Sequence, residues 1–294
     1  MRIATRPIQK LLGLTLAAML LLTGMAPFTA LASAGVPEAP DRALRAMTYN
    51  IHHAQGSDDV LNLQRIADAI RDSKVQVVEL QEVDRHWSAR SDFVDQAAWL
   101  ARELGMHYVY GANLDLAPLE ADQPRRQYGT AILSEYPILD SGNTLLPRPA
   151  GGEQRGLREA LIIVHGVPVR VYNTHLQHNS QLERTAQVRA IIEHIGDQEE
   201  PTILMGDLNA RPGDPELAPL YAQFSDAWLV AGEGPGHTIS TTNPTARIDY
   251  VFVSRDIAVV DATVPDNERT RVASDHFPVI ADLGIPGTRA GLGR

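Results

Sequence analysis

Six times along this 294-residue chain an apolar run stops at a residue that carries chemistry. The stops are Asn50, Glu82, His175, Asp207 with Asn209, Asp249, and Asp275 with His276. Each residue alone has an ordinary structural use. Asparagine forms turns, an acidic residue faces water or caps a turn, and a buried imidazole is satisfied by a neighbour. Repetition changes the reading. A scaffold that stacks its strands brings their ends to one rim, and loops at such a rim carry function. The chain is therefore expected to fold in layers whose strand ends converge.

The apolar runs read as strands at Ala43–Ile51, Val75–Leu80, Gly129–Ser134, Leu157–His165, Val169–Leu176 and Thr202–Gly206, then Ala246–Ser254, Ala258–Val264 and Pro278–Leu283. Gly166-Val167-Pro168 supplies a hairpin turn. Asn62 caps a helix over Leu63–Arg71, with Leu63, Ile66, Ala67 and Ile70 on one face. Ser91 is read as the cap of a second helix that Gly105 ends. Ser180 with Glu183 forms a capping box for a helix reaching Ile195, and Asp214-Pro215 opens a short one. Gly111–Gln127 and Leu145–Gly156 are read as loops. Strands outnumber helices and some pair antiparallel, which favours sheet layers with helices outside over a regular doubly wound fold. Gly151-Gly152 is no phosphate loop, because the surrounding Walker pattern is missing.

Composition narrows the chemistry. With no cysteine, a disulfide scaffold, a thiolate zinc site, a cysteine nucleophile and an iron–sulfur cluster are excluded. Lys and Arg total 26 against 36 Asp and Glu, a formal net charge of -10, which argues against a polyanion binder held mainly by charge. Arg2, Arg6 and Lys10 precede an apolar stretch over Leu11–Leu22, and Ala32-Ser33-Ala34 follows with small residues suited to signal cleavage. Residues 1–34 are expected to be a signal peptide cut after Ala34, giving a secreted product. The alternative, a membrane anchor, has too short an apolar core, broken by Gly24 and Pro27. A short leader over 35–42, one domain over 43–285 and a tail over 286–294 complete the organisation. The protein is expected to act as a monomer with no stable membrane span.

The six stops support one reaction. Asn50, Glu82 and Asp275 offer oxygen ligands to a hard divalent cation, Mg²⁺ or Mn²⁺. Asp207 and Asn209, two apart in extended backbone, point the same way and can hold an attacking water. Asp249 can fix the tautomer of His276, and His175 can donate to a phosphoryl oxygen. The set suits hydrolysis of a phosphate ester by water without a covalent enzyme intermediate.

The segments Thr48-Tyr49-Asn50-Ile51, Leu80-Gln81-Glu82-Val83, Asn173-Thr174-His175-Leu176, Gly206-Asp207-Leu208-Asn209, Arg247-Ile248-Asp249-Tyr250 and Ser274-Asp275-His276 resemble the metal-dependent endonuclease/exonuclease/phosphatase superfamily. They stand in the family's order across nearly the whole chain after residue 34. The resemblance implies an α+β fold, a four-layered α/β/β/α sandwich of the DNase I type with two mixed β-sheets. It implies a metal-binding role for Glu82, with Asn50 and Asp275 beside the ion. It makes His276 with Asp249 the base, Asp207 and Asn209 the pair orienting nucleophile and phosphate, and His175 a phosphate-side histidine. One departure stands out: Ile51-His52-His53 follows the first asparagine, where several nuclease members carry an acidic residue at the third position. Thr48–His53 is also similar to bacterial relatives of proteins linked to glycosylphosphatidylinositol lipid remodelling.

Fold alone does not choose a substrate. The deciding loops are expected at Gly111–Gln127, Leu145–Gly156, Gln177–Ser180 and Gly232–Thr245. Arg125, Arg126, Arg148 and Arg155 are candidate phosphate donors, with His53 and His178 as further substrate contacts. Leu114, Leu116 and Leu119 form a candidate apolar lip. A duplex reader ordinarily shows a denser basic stripe. The chain is therefore expected to be a phosphodiesterase on a small or lipid-linked phosphoester. DNA or RNA cleavage is the alternative, and an inactive binding module on the same scaffold is a third reading, against which the intact acid, amide and histidine set argues.

Overall fold

The computed structural model describes residues 42–197 and 199–287. The expected signal segment, residues 35–41 of the leader and residues 288–294 of the tail lie outside the described residues.

The chain opens with β1 (Ala43–Asn50), α1 (Leu63–Ser73) and β2 (Val77–Arg85), then α2 (Gln96–Leu104), β3 (His107–Leu116) and β4 (Arg126–Ser134). It continues with β5 (Ile138–Leu145), β6 (Gly156–Val164), β7 (Val167–His175), α3 (Gln181–Ile195) and β8 (Thr202–Asp207). α4 (Ala218–Gln223), β9 (Ser225–Asp226), α5 (Ala227–Ala231) and β10 (Asp249–Val253) follow. β11 (Ala258–Thr263), α6 (Glu268–Ala273) and β12 (Val279–Gly284) end the described part. Two six-stranded sheets result, ordered β11-β12-β1-β2-β4-β3 and β5-β6-β7-β8-β10-β9. Each is mixed: β1 runs parallel to β2 and β7 to β8, and the other ladders are antiparallel. A parallel pair needs a crossover, and α1 and α3 supply the two.

Alternation divides the apolar residues into three cores. Leu44, Ala46, Val77, Ile132, Ala160, Ile162, Val171, Met205 and Val251 belong to the cluster shared by strands of both sheets. Met47, Val78, Leu80 and Leu133 point the other way, into a cluster with Ile66, Ala67 and Ile70 of α1 and Leu100 of α2. Tyr172, Leu204 and Phe252 do the same with Val188 and Ile191 of α3. These are the four layers of the expected sandwich. At β8, Gly206 stands at φ 147°, and a Cβ there would collide with the Thr174 carbonyl, so only glycine lets β7 and β8 approach.

The register explains the convergence of strand ends. In a parallel pair both carboxyl ends face one way. Asn50 lies opposite Gln81, and His175 opposite Asp207. β10 runs antiparallel to β8 and starts where β8 stops, with Asp249 opposite Asp207. β12 runs antiparallel to β1 with Val279 opposite Thr48, which brings Asp275 and His276 to the Asn50 end.

Several expectations need correction. The segment Gly111–Gln127 is not one loop: β3 continues to Leu116 and β4 begins at Arg126. β5 is a further strand, its ILDSGNTL sequence holding little of the β-branched or aromatic character that marks strands. Both β3 and β5 are sheet edges, where one ladder and partial exposure permit polar residues. Asp95 caps α2, its carboxylate accepting from Ala98 N at 3.0 Å, while Ser91 lies in a preceding 3₁₀ turn. Ser180 caps α3, but Glu183 does not reach back to complete a box. Its buried Oε1 accepts from the Ala150 and Gly152 amides at 3.0 and 2.9 Å, fastening the 145–156 loop.

Candidate functional site

A bulge sets Glu82. Gln81 and Glu82 together oppose Thr130, and Glu82 takes a left-handed φ of 57°. In an unbroken strand Glu82 would share the face of Leu80, whose side chain is buried in the helix-side core. The bulge re-aims it, as bulges beside functional sites do. Asn50 Nδ2 donates to Glu82 Oε1 at 3.1 Å and to Asp207 Oδ2 at 3.0 Å, so one amide joins the two sheets. Its Oδ1 accepts from His52 N at 3.1 Å.

His276 and Asp249 meet beside Asp207. His276 Nδ1–H donates to Asp249 Oδ2 at 2.9 Å, and Nε2 lies 3.8 Å from Asp207 Oδ2. Burial by itself would depress the imidazole. The carboxylates of Asp249, Asp207 and Asp275 outweigh it and lift the ring to about 10. Asp207 is in turn pushed up to about 7 by burial and by Asp249, against the pull of His276. Without a metal ion the pocket thus retains a proton. The frame around it is built from small hydroxyls. Thr238 Oγ1 accepts from the Ile248 and Asp249 amides at 3.1 and 3.3 Å. Ser274 Oγ donates to the Asn50 carbonyl at 2.8 Å and accepts from His276 N at 3.3 Å. Part of the Gly232–Thr245 segment, expected to be a substrate loop, therefore braces Asp249, the partner of His276.

His175 is fixed in one tautomer. Arg155 Nη1–H donates to His175 Nδ1 at 3.0 Å, so the ring proton sits on Nε2, 3.5 Å from Asp207 Oδ2. Burial, then the Arg155 charge, holds this imidazole well below its ordinary value, and it is neutral. Arg155 is only 3% exposed and also meets Glu153 Oε1 at 3.0 Å. It stands behind the histidine, not as a free rim donor.

The remaining candidates are placed as follows. Arg125 Nε donates to Asp115 Oδ1 at 2.7 Å, Arg126 Nε to the Ala117 carbonyl at 2.9 Å and Arg148 Nη1 to the Gly152 carbonyl at 3.4 Å. All three are tied into their own loops. His178 is near enough to His175 to depress its ring, and its amide bonds Gln177 Oε1 at 3.1 Å. Asn209 is not in extended backbone beside Asp207. It stands at φ 49°, its N–H bonds Asp207 Oδ1 at 2.9 Å and its amide donates to the Leu176 carbonyl at 3.0 Å. It holds Asp207 in place. His53 is buried, with Nε2 3.0 Å from Gln55 Oε1, and His52 stands beside it with ring centroids 4.6 Å apart. Burial, then Arg90, lowers the His53 ring from its ordinary value.

Among the described residues, two sets of side chains can hold a cation: Asp207, Asp249 and His276, and His52, His53 and Glu82. In each, the ligand atoms lie within 4.8 Å of one another. Buried polar atoms without hydrogen-bond partners fit that reading, Asp249 Oδ1 in the first set and His53 Nδ1 in the second. Of the expected ligands, Glu82 belongs to the second set, Asn50 turns its Nδ2 to Glu82 and Asp207, and Asp275 Oδ1 lies 3.9 Å from His52 Nδ1. The surface hollows lined by Arg45, Ser73 and Thr270, by His107 and Ile138, and by Gly196, Gln223 and Arg255 share no residue with this rim. Sequence reasoning missed the network beneath it. Gln81 Nε2 donates to Asn173 Oδ1 at 2.8 Å, and Asn173 Nδ2 to the Leu80 and Ala131 carbonyls at 2.9 and 2.8 Å, crosslinking the sheets under the rim. Polar residues inside otherwise apolar runs were the available signal.

Residues 47–276 match the sequence profile of the Endonuclease/Exonuclease/phosphatase family. The chain is 30% identical over 167 residues to protein cwh43 of Schizosaccharomyces pombe, a match covering 56% of this chain and 16% of that relative's length. An endonuclease/exonuclease/phosphatase structure from Beutenbergia cavernae is 30% identical, superposes with a TM-score of 0.71 and covers 85% of this chain and 73% of its own. A conserved protein of unknown function from Enterococcus faecalis is 24% identical at a TM-score of 0.68, with 83% and 100% covered. The mannosyl-6-phosphatase Bt3783 of Bacteroides thetaiotaomicron, 21% identical at 0.63 with 82% and 99% covered, shares the fold.

Proposed function

The chain belongs to the endonuclease/exonuclease/phosphatase family and is a metal-dependent phosphoesterase, and from that premise we propose that it is an exported phosphodiesterase acting on a compact phosphoester, free or carried as a lipid head group. The observation that carries the catalytic reading is the meeting of Asn50, His175, Asp207, Asp249 and His276 at one rim, with His276 held by Asp249 at 2.9 Å. A divalent cation, Mg²⁺ or Mn²⁺, would be held by Asn50, Glu82 and Asp275 and would offset developing phosphoryl charge.

The side chains do the rest. His175 presents Nε2–H as a donor to a phosphoryl oxygen, since Arg155 occupies Nδ1. Asp207, fixed by the Asn209 amide and by Asn50, orients the attacking water. His276 accepts the water's proton at Nε2 while Asp249 holds Nδ1–H. To do so His276 must first give up the proton that the carboxylates keep on it, and a compensating positive charge beside them favours that loss.

The compact substrate is supported by charge. Of the four candidate arginines, Arg125 and Arg155 pair with carboxylates, and Arg126 and Arg148 donate to carbonyls of their own loops, so they form no open basic track. A duplex needs such a track and binds it with steep salt dependence. Among the described residues no helix is long and apolar enough to cross a membrane. Export follows the reading of residues 1–34. The test is a panel of plasmid DNA, single-stranded DNA, RNA, sphingomyelin, phosphoinositides and soluble phosphodiesters with Mg²⁺, Mn²⁺ and Ca²⁺, against the Glu82→Gln variant. Turnover of a soluble or lipid-linked ester that the variant loses is expected. Plasmid nicking that the variant loses, with every small ester untouched, reverses the substrate assignment.

A further inference from the structure

The turn after β1 holds an arrangement that ester hydrolysis does not require. His52, His53 and Ala54 stand at φ 46°, 42° and 64°, three consecutive left-handed residues without a glycine, and Glu82 opposite them stands at 57°. Left-handed backbone at non-glycine residues persists only where surroundings enforce it, and such residues gather at ligand clamps. Here the conformation puts two adjacent imidazoles on the same side as the Glu82 carboxylate, with ligand atoms of all three within 4.8 Å.

Hydrogen bonds define which nitrogens are free. Gln55 Nε2 donates to Asp59 Oδ1 at 3.0 Å, which turns Gln55 Oε1 towards His53. An amide oxygen only accepts, so His53 Nε2 carries the proton and Nδ1 bears a lone pair. That Nδ1 is buried and has no partner. His52 Nδ1–H donates to the Gln55 carbonyl at 3.2 Å, which leaves the lone pair on Nε2. Each ring is thus fixed by a hydrogen bond on one nitrogen that leaves the other with a lone pair, as metal-binding histidines are, and His52 Nδ1 also stands 3.9 Å from Asp275 Oδ1.

We propose that His52 Nε2, His53 Nδ1 and Glu82 form a nitrogen-containing cation subsite that takes a borderline divalent transition metal such as Zn²⁺, in addition to the hard-ion chemistry of the carboxylate rim. Two imidazoles and one carboxylate match the ligands such ions prefer, and remaining positions stay open to water or substrate. Mg²⁺ prefers oxygen and gains little from imidazole. The inference goes beyond the proposed function and shares only Glu82 with it.

Binding of Zn²⁺ itself, in excess Mg²⁺, tests the subsite without turnover as a readout, so failure of the ester assignment leaves the result unaffected. By calorimetry the wild-type chain is expected to take up a Zn²⁺ that the His52→Ala/His53→Ala variant does not. Gln55→Ala, which removes the side-chain acceptor of His53 and the exposed bond to Asp59 but keeps the carbonyl that holds His52, is expected to weaken that uptake by about 10- to 100-fold. Should the double variant fail to fold, ring ¹⁵N spectra of the wild type decide: Zn²⁺ shifts His52 Nε2 and His53 Nδ1, and Mg²⁺ does not. Unmoved ring nitrogens with Zn²⁺ bound, or wild-type Zn²⁺ uptake by the folded double variant, overturns the proposal.

Discussion

The two cation-competent clusters share a rim and are built in opposite ways. Asp207, Asp249 and His276 lie at strand ends, deeply buried, each tied to the frame by Asn50, Thr238 or Ser274. His52, His53 and Glu82 lie on left-handed backbone in a turn and a bulge, and their second contacts reach the partly exposed Gln55 and the exposed Asp59. The inner cluster keeps charge in a fixed place by burial and hydrogen bonds. The outer one keeps lone pairs available. Side by side, a cluster held by buried strand-end contacts and a cluster with free lone pairs thus rest on different backbones.

The largest expected effect lies in the inner cluster. His276→Ala is expected to lower turnover by about 10²- to 10⁴-fold, measured as kcat on whichever ester the panel yields. Asp249→Asn should cost about as much, through tautomer and counter-charge. A His53→Ala loss as large as these would erase the distinction between the clusters.

Stability should show the same contrast more quietly. Thr238→Val leaves the buried Ile248 and Asp249 amides without their acceptor. A cost of about 1–3 kcal/mol is expected, read from urea unfolding. Gln55→Ala, on the outer cluster, is expected to shift the same curve by less than about 1 kcal/mol, since its partners lie nearer solvent.

The pH response sharpens the comparison further. His276 is raised in the fold from the ordinary imidazole value to about 10. Its contribution to stability is full below pH about 6.5 and is lost as pH rises through about 10. His175 is depressed, so the unfolded chain binds the extra proton and stability falls as pH drops below about 6.5. In chelator, the metal-free chain should therefore lose unfolding free energy from neutral pH towards 10, and Asp249→Asn should flatten that decline. An equal slope in the variant would remove Asp249 as the cause.

The smallest effect concerns Asn209. Asn209→Ala loses the side-chain bond to the Leu176 carbonyl but keeps the backbone N–H to Asp207. A several-fold fall in kcat with little change in metal affinity is expected.

Where one strand end follows another in a central ladder, the sequence was readable. Asn50, Glu82, His175, Asp207, Asp249, Asp275 and His276 all stand at apolar-run boundaries, because central strands bury mostly apolar residues and break that run where they meet the rim, at a strand end or, for Glu82, at a bulge inside β2. β3 and β5 were obscured because an edge strand is selected by its single neighbour, not by its own residues. The loops misled for a related reason. Arg155 stands in a Gly-rich segment that reads as exposed, yet Glu183 pins that segment and turns the guanidinium inward onto His175. No local pattern encodes a contact 20 residues away.

The strand order carries a consequence for how the enzyme comes into being. β12, the last described strand, lies beside β1, the first. Asn50 and Glu82 therefore leave the ribosome long before the Asp275-His276 pair that completes their rim. On the proposed roles, the candidate cation ligands at 52, 53 and 82 are made well before the candidate base at 276, so the residues for ion capture and for proton transfer arrive at separate times. On those roles, hydrolysis waits for the segment that carries Asp275 and His276.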